Sequence, residues 1–421
     1  MEKTYLKVYG TYDFSVEETF IFNKIVEKAK EVLKRFSYKE IILPILEKED
    51  VFIRSIGTTT DIVEKQIFRI KRKDEDDEKI VLRPEGTAQV VRYYLENYIY
   101  KKTDFSKFFY IGPMFRGERP QKGRLRQFHH IGVEAVGSKS HFLDAEIIIL
   151  ALKILEEIGV KDKILEINSL GCKKDKENFS KTIREKLINK KTELCKICYE
   201  RFDKNPLRIL DCKEEKCREI VKNLDIIKEK SYLCKDCLVD YQKVIDILNS
   251  LNISYIENPL LVRGLDYYTN TVFEITSKKL GAQNAIGAGG RYNNLIKDLS
   301  GIEIPAIGFA LGIERIMLVL DKIEFSDRID VYIATIGESA KYKGFSLLNK
   351  LRENGFISDI DFRDKSIKSQ LRYAQKNNIR FVIIIGPDEL KNETFILKDM
   401  KKSFQVNLKE DEIFLKLKEL C

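Results

Sequence analysis

The chain has 421 residues, 43% apolar and 33% charged, a composition that excludes wholesale disorder and collagen-like repeats. A single core stops growing near ~250–300 residues, so two or three domains are expected. Lys and Arg number 75 against 66 Asp and Glu, a net charge of +9 that favours a polyanionic partner.

No run approaches the roughly 18–20 uncharged apolar residues of a membrane helix. The start, Met1-Glu2-Lys3-Thr4, lacks the apolar core of a secretion signal. A cytoplasmic chain with no membrane partner is expected.

In chain order, the first firm element is a helix over 16–36. Ser15 and Glu18 have the spacing of a capping box. Phe22, Ile25, Val26, Ala29, Val32, Leu33 and Phe36 then recur at three and four residues as an apolar stripe. Residues 41–46 read as a strand broken by Pro44, which belongs at a sheet edge or subunit boundary because proline cannot donate to a ladder. Residues 71–79 form a charged loop or hairpin tip. Apolar alternation over 108–115 and 128–136, with a Gly- and Arg-rich turn between, predicts a long antiparallel hairpin with a basic loop. Residues 143–158 read as a buried helix.

Composition shifts over 172–238. This stretch carries 19 basic and 13 acidic residues, a net of +6, and seven of the eight cysteines; the eighth is Cys421. It reads as a small inserted domain. Cys195-x2-Cys198 and Cys234-x2-Cys237 have the spacing of zinc knuckles, with Cys212-x4-Cys217 between them. Two readings stay open: structural zinc on Cys195, Cys198, Cys234 and Cys237, or reduced thiols in a small core. Strands resume at 260–262, 268–276 and 281–292, then a strand and a helix beginning near Gly312 fill 306–320. Strands at 331–336, 356–360 and 381–385 alternate with helices at 342–354 and 366–377. A hairpin near Phe395 and Phe404 and a final helix from about Asp411 follow. That alternation predicts a separate α/β domain with a largely parallel sheet.

Five segments put glycine, arginine and acidic residues beside apolar strands: 82–87 (LRPEGT), 112–120 (GPMFRGERP), 124–134, 261–269 (LVRGLDYYT) and 308–315 (GFALGIER). Arginine suits planar, bidentate contact with phosphate oxygens. No P-loop or G-x-G-x-x-G precedes a helix. A nucleotide site here has to be built from arginines on an antiparallel sheet.

With these segments in order, the chain resembles the class II aminoacyl-tRNA synthetases, specifically the histidine–tRNA ligases. Residues 41–47 resemble the dimer-interface motif, 109–134 the second class motif and 306–315 the third. LVRGLDYYT and 287–292 (GAGGRY) resemble the two histidine-specific signatures. The resemblance implies an α+β class II catalytic domain with an antiparallel sheet and flanking helices (1–171 and 239–322), interrupted by the inserted domain (172–238). A C-terminal α/β anticodon-binding domain (329–421) follows. It implies a homodimer acting on L-histidine, ATP with Mg2+ and tRNA(His).

The site roles it implies are these. Arg116 and Arg263 flank the α-phosphate as the catalytic pair. Glu118 and Phe128 meet the adenine, and Arg315 the γ-phosphate. Glu85, Gly86 and Thr87 surround the substrate amine. Glu134, Tyr267, Tyr268 and Tyr292 line the imidazole pocket, and Lys122, Arg124 and Arg126 face the tRNA acceptor end. One departure stands out: His130 occupies a position where the family carries glutamine, and it can accept a hydrogen bond from the amine only while neutral. The rival reading is a catalytically silent regulatory subunit of histidine biosynthesis, which lacks the anticodon domain and loses catalytic arginines; this chain keeps Arg263 and residues 329–421.

Overall fold

The computed structural model describes residues 5–57, 60, 62–71, 78–224, 230–281, 284–321, 329–402 and 404–420. Most of the expected charged tip (72–77), Cys421 and residue 322 at the expected domain edge lie outside the described residues. The chain forms two compact units, Met1–Ile323 and Glu324–Cys421.

The first unit opens with the helix Val16–Arg35, started by the expected capping box: the Ser15 hydroxyl accepts from the Glu18 N–H at 3.2 Å, and the Glu18 carboxylate accepts from the Ser15 N–H at 2.8 Å. Its strands are β1 (Lys39–Glu40), β2 (Leu46–Lys48), β3 (Phe68–Arg69), β4 (Ile80–Leu82), β5 (Ser106–Phe115), β6 (Gln127–Val136), β7 (Ile164–Ser169), β8 (Ile256–Glu257), β9 (Thr269–Thr276), β10 (Ala285–Arg291) and β11 (Ala306–Gly312). Eight of them form one sheet in the order β1-β5-β6-β11-β10-β9-β7-β8. Its five inner pairings are antiparallel and the two outermost are parallel. Side chains alternate across a strand, so the two faces bury different sets. Phe109, Ile131, Val133, Phe273 and Ile307 pack under the helices Val16–Arg35 and His141–Ile158. Phe108, Tyr110, Met114 and Val272 face the other core.

The hairpin of β5 and β6 is as expected, with Phe115 opposite Gln127 and Ser106 opposite Val136. The strand expected over 41–46 does not form. β1 pairs with β5 and β2 with β4, on either side of an irregular stretch around Pro44. The backbone groups freed there go to side chains: Arg83 donates to the Leu43 carbonyl at 2.9 Å and Gln89 to that of Pro44 at 3.0 Å. Residues 260–262 are likewise irregular, and the first strand after the insert is β8. The described residues of 172–238 are mostly helical, and the buried Phe179, Ile183, Cys198 and Ile209 share a core with Phe52, Tyr110 and Val272. The expected boundary at 238 falls inside the helix Lys235–Ser250, whose Tyr241, Val244 and Leu248 belong to the opposite core.

Arg291 at the end of β10 ties the sheet to the helix His141–Ile158. Its Nε donates to both Asp144 carboxylate oxygens at 2.9 and 2.8 Å, and its other nitrogens donate to the Ser138 and Ser140 carbonyls at 2.8 Å each. Both side chains are buried. Asp144→Asn keeps the shape and removes the charge facing Arg291, and should lower unfolding stability by about 2 kcal/mol in urea titration.

The second unit holds β12 (Val331–Thr335), β13 (Ser358–Ile360), β14 (Phe381–Ile385), β15 (Phe395–Asp399) and β16 (Phe404–Leu408), in the order β13-β12-β14-β15-β16. The first two pairings are parallel and the last two antiparallel. The sheet is therefore evenly mixed, because the 395–408 hairpin adds to one side. Helices Glu338–Glu353, Ile367–Lys376 and Glu410–Leu420 fall where expected, and the short helix Pro387–Asn392 was not anticipated.

Candidate active site

The centre of the large sheet is lined with glycine where side chains would collide. Tyr110 on β5 faces Gly132 on β6. A Cβ at Gly132 would lie 2.0 Å from the tyrosine ring, and one at Gly86 2.3 Å from it. Gly308 on β11 pairs with Glu134 on β6, and a Cβ there would sit 1.8 Å from the Glu134 carboxylate. These gaps make room for the Glu134 and Tyr110 side chains, and Tyr110 lines a cleft of about 210 Å3. Its walls include Glu85, Thr87, Arg116, Phe128, His130 and Arg263.

Glu134 accepts from Thr87 Oγ1 at 2.7 Å and from the Tyr292 hydroxyl at 2.5 Å. Burial nonetheless pushes its pKa up to about 8, against these two bonds and with the Glu85 carboxylate adding to the rise. Glu85 accepts from the backbone N–H groups of Thr87 at 2.6 Å and Ala88 at 2.9 Å, which begin the helix Thr87–Glu96; burial raises its pKa too. Two buried carboxyls side by side, over Tyr267, Tyr268 and Tyr292, suit a small cationic ligand with a ring N–H.

His130 is held neutral: burial, then Arg116, Arg315 and Arg83, hold its pKa well below the usual range. Its Nδ1 is buried without a hydrogen-bond partner, and its ring meets Phe128 edge-on at 5.0 Å. If the cleft takes histidine as the resemblance implies, replacing His130 with phenylalanine should weaken that binding about tenfold, the worth of one buried hydrogen bond. From pH 5.5 to 8, affinities of the wild type and of His130→Gln should run parallel in isothermal titration, since burial and the neighbouring arginines disfavour the charged imidazole.

The arginines border the upper cleft. Arg116 donates to the Pro84 carbonyl at 2.9 Å and lies 5.2 Å over the Phe128 ring. Arg263 pairs with Glu274 at 2.5 Å, while its Nε is buried without a partner. Arg315, in the first turn of the helix Ile313–Val319, donates to the carbonyls of Gly123 at 2.9 Å and Ala285 at 2.5 Å. Glu118 is paired with Arg124, and both line the cleft.

Lys122 and Arg126 are not among the lining residues. The Arg126 guanidinium instead lies 5.4 Å over the Tyr9 ring and donates to the Glu118 carbonyl at 3.2 Å. Gly86, Glu134 and Tyr292 are not among the lining residues either, and Glu134 meets the cleft through its bond from Thr87.

The expected zinc set is corrected. Cys195 and Cys198 do not come together with Cys234 and Cys237. The first pair gathers with Cys212 and Cys217, and the second with Cys172 and Asp175. A C-x2-C spacing marks two ligands on one helical turn and carries no information on which pair it meets.

Residues given no role in the sequence analysis also shape the site. Glu314 accepts from the His129 backbone N–H at 2.9 Å and meets its Nδ1 at 2.8 Å. Lys176, Asn205 and Arg208 from the insert hydrogen-bond the 264–268 loop. Arg83 donates to the Pro113 carbonyl on β5 at 2.7 Å.

A chiefly antiparallel sheet with Arg116, Arg263 and Arg315 lining one cleft together with Glu85, Thr87 and His130 is the architecture of a class II aminoacyl-tRNA synthetase catalytic domain. The family model described as "Histidyl-tRNA synthetase" matches residues 10–316, and "Anticodon binding domain" matches 330–420. The chain is 47% identical over 403 residues to a histidine–tRNA ligase of Halothermothrix orenii, covering 95% of each chain. It is 42% identical to that of Clostridioides difficile over 97% of this chain and 98% of the relative. The crystal structure of apo S. aureus histidyl-tRNA synthetase superposes with a TM-score of 0.79 at 32% identity, covering 99% of this chain and 100% of that one. The chain belongs to the histidyl-tRNA synthetase family.

Proposed function

We propose that the chain is a histidine–tRNA ligase, joining L-histidine to ATP as histidyl-adenylate with release of pyrophosphate, then passing histidine to the 3′ end of tRNA(His). The observation that carries this reading is the one cleft lined by Arg116, Arg263 and Arg315 together with Thr87, whose hydroxyl donates to the buried Glu134.

In this reading the histidine carboxylate attacks the α-phosphate between Arg116 and Arg263, whose charges offset the negative charge that builds there. Glu118 and Phe128 hold the adenine and Arg315 the γ-phosphate. Glu85, Thr87 and His130 take the amine, while Glu134, Tyr267, Tyr268 and Tyr292 take the imidazole. Positioning and charge supply the rate, with no covalent nucleophile. Mg2+ would arrive with ATP and offset phosphate charge, and Glu314 in the cleft would be the carboxylate available to hold it.

The partners follow the charge and the exposed apolar surface. The insert, with its net of +6, and Lys122, Arg124 and Arg126 face the acceptor end of the tRNA. The second unit reads the anticodon through shape and unstacked bases. A second copy of the chain covers the stretch around Pro44, where Ile42 is 93% exposed. No helix among the described residues is long and apolar enough to cross a membrane, which is compatible with work in the cytoplasm.

Histidine-dependent exchange of pyrophosphate into ATP tests the function; a chain that binds histidine without exchange would be the silent regulatory rival. That rival is not favoured, because Arg263 and an anticodon-binding match over 330–420 are both present.

A further inference from the structure

The cysteines of the insert fall into two tight groups. The sulfurs of Cys195, Cys198, Cys212 and Cys217 all lie within 4.8 Å of one another, as do the sulfurs of Cys172, Cys234 and Cys237 and a carboxylate oxygen of Asp175. None of these cysteines forms a disulfide. Cys195 and Cys212 are 3.8 Å apart, far beyond the ~2.05 Å of an S–S bond. A tetrahedral ion with Zn–S bonds of about 2.3 Å sets its sulfurs roughly 3.8 Å apart.

We propose that residues 172–237 hold two structural zinc ions, one on Cys195, Cys198, Cys212 and Cys217, the other on Cys172, Asp175, Cys234 and Cys237. In each group the C-x2-C pair opens a helix. Cys195 precedes Lys196–Lys204 and Cys234 precedes Lys235–Ser250, while Cys172 precedes Lys173–Leu187. At a helix start the free N–H groups and the dipole favour the thiolate, the form that binds metal.

Donors to sulfur are already in place around both groups. The Cys195 N–H donates to Cys217 Sγ at 3.2 Å, the Cys198 N–H to Cys195 Sγ at 3.5 Å, and Asn270 Nδ2 to Cys237 Sγ at 3.5 Å. Such outer hydrogen bonds orient ligands and spread the charge of the centre. Four ligands close each site, so neither ion keeps a position for substrate, and both are structural. Thiolate-rich tetrahedral sets select zinc over the oxygen-seeking Mg2+ and Ca2+.

The placement says what the ions would hold. The mixed site fastens the two ends of the insert to each other. The four-cysteine site fastens the helices Lys196–Lys204 and Glu215–Lys222 to the turn at Cys212. Between them, Lys176 donates to the carbonyls of Asp266 and Tyr268 at 2.7 Å each. Asn205 donates to the Asp266 carboxylate at 2.9 Å and Arg208 to the Gly264 carbonyl at 3.0 Å. The ions would thus brace the loop that bears Arg263 and Tyr268, not only the surface offered to tRNA. That last consequence rests on the active-site reading; the metal sites themselves do not.

Elemental analysis of the full chain, produced with zinc and purified without chelators, should find about two zinc ions per chain. Cobalt substitution should give the intense absorption of tetrahedral thiolate ligation. Cys217→Ser and Asp175→Ala should each remove about one ion, and chelation should lower the melting temperature of the wild type. Zinc below about 0.2 per chain, with no cobalt spectrum, would overturn both sites. Zinc content unchanged by Cys217→Ser would overturn the four-cysteine site, and content unchanged by Asp175→Ala the mixed one. If a variant fails to fold, the wild-type zinc count and cobalt spectrum still decide between two ions and none, and a count of one overturns the pair.

Discussion

Arg263→Gln should lower the turnover of histidine-dependent ATP–pyrophosphate exchange by about 10²–10³, with little change in KM for histidine or ATP. The side chain is partly buried and anchored to Glu274 through Nη1 at 2.5 Å, with Nε buried and left without a partner. An unsatisfied buried donor is costly, and a ligand oxygen carrying growing negative charge would satisfy it. The benefit is largest in the transition state, so the loss should fall on kcat. Lysine at 263 should rescue little, because a point charge cannot keep the Glu274 contact and reach the cleft with a second nitrogen. Steady-state exchange kinetics decide the matter: a loss under tenfold, or one carried mainly by KM, would remove Arg263 from the catalytic pair.

Glu134→Gln should weaken histidine binding by about 10–100-fold, as expected for losing a buried charge-assisted hydrogen bond, while making the unliganded protein less sensitive to alkali. Burial lifts the Glu134 pKa from 4.5 to about 8, so the folded state favours the protonated carboxyl. That contribution to stability is complete below pH 4.5 and is lost as pH rises through 8. The wild type should therefore lose melting temperature between pH 6.5 and 8.5 by more than the glutamine variant, whose amide does not ionise. Histidine affinity of the wild type should tighten over the same interval as the carboxylate forms, and that of the variant should stay flat. Parallel melting curves would show that Glu134 is already ionised in the empty pocket.

Long, strongly patterned elements were readable in advance. The Ser15–Glu18 cap, the β5–β6 hairpin and the strand–helix alternation after Val331 each rest on local periodicity that tertiary packing reinforces. Residues 41–46 and 260–262 misled for a shared reason. Apolar runs around a proline look extended, yet their carbonyls are claimed by side chains, such as Arg83 and Gln89, that no local pattern announces. Within the site, Arg116, Phe128, His130, Arg263 and Arg315 converge on one cleft as expected, whereas Arg126 turns to Tyr9. The nesting of Tyr110 between Gly86 and Gly132 was invisible, because it joins residues on three separate elements. Asp175 was invisible as a partner of cysteines for the same reason: its proximity to Cys234 and Cys237 is made by folding and not by spacing.

The strand pairing also sets a timetable for synthesis. β6 finds β5 at once, but its other edge, with Gly132 and Glu134, pairs only with β11, about 170 residues later in the chain. At ~5–20 residues per second that edge stays open for roughly 10–30 s on the ribosome. An open edge with buried-type side chains is a template for wrong pairing. Until β11 emerges, the nascent chain therefore depends on chaperones or on the loose cover of its own helices, and chains cut short before residue 306 should aggregate.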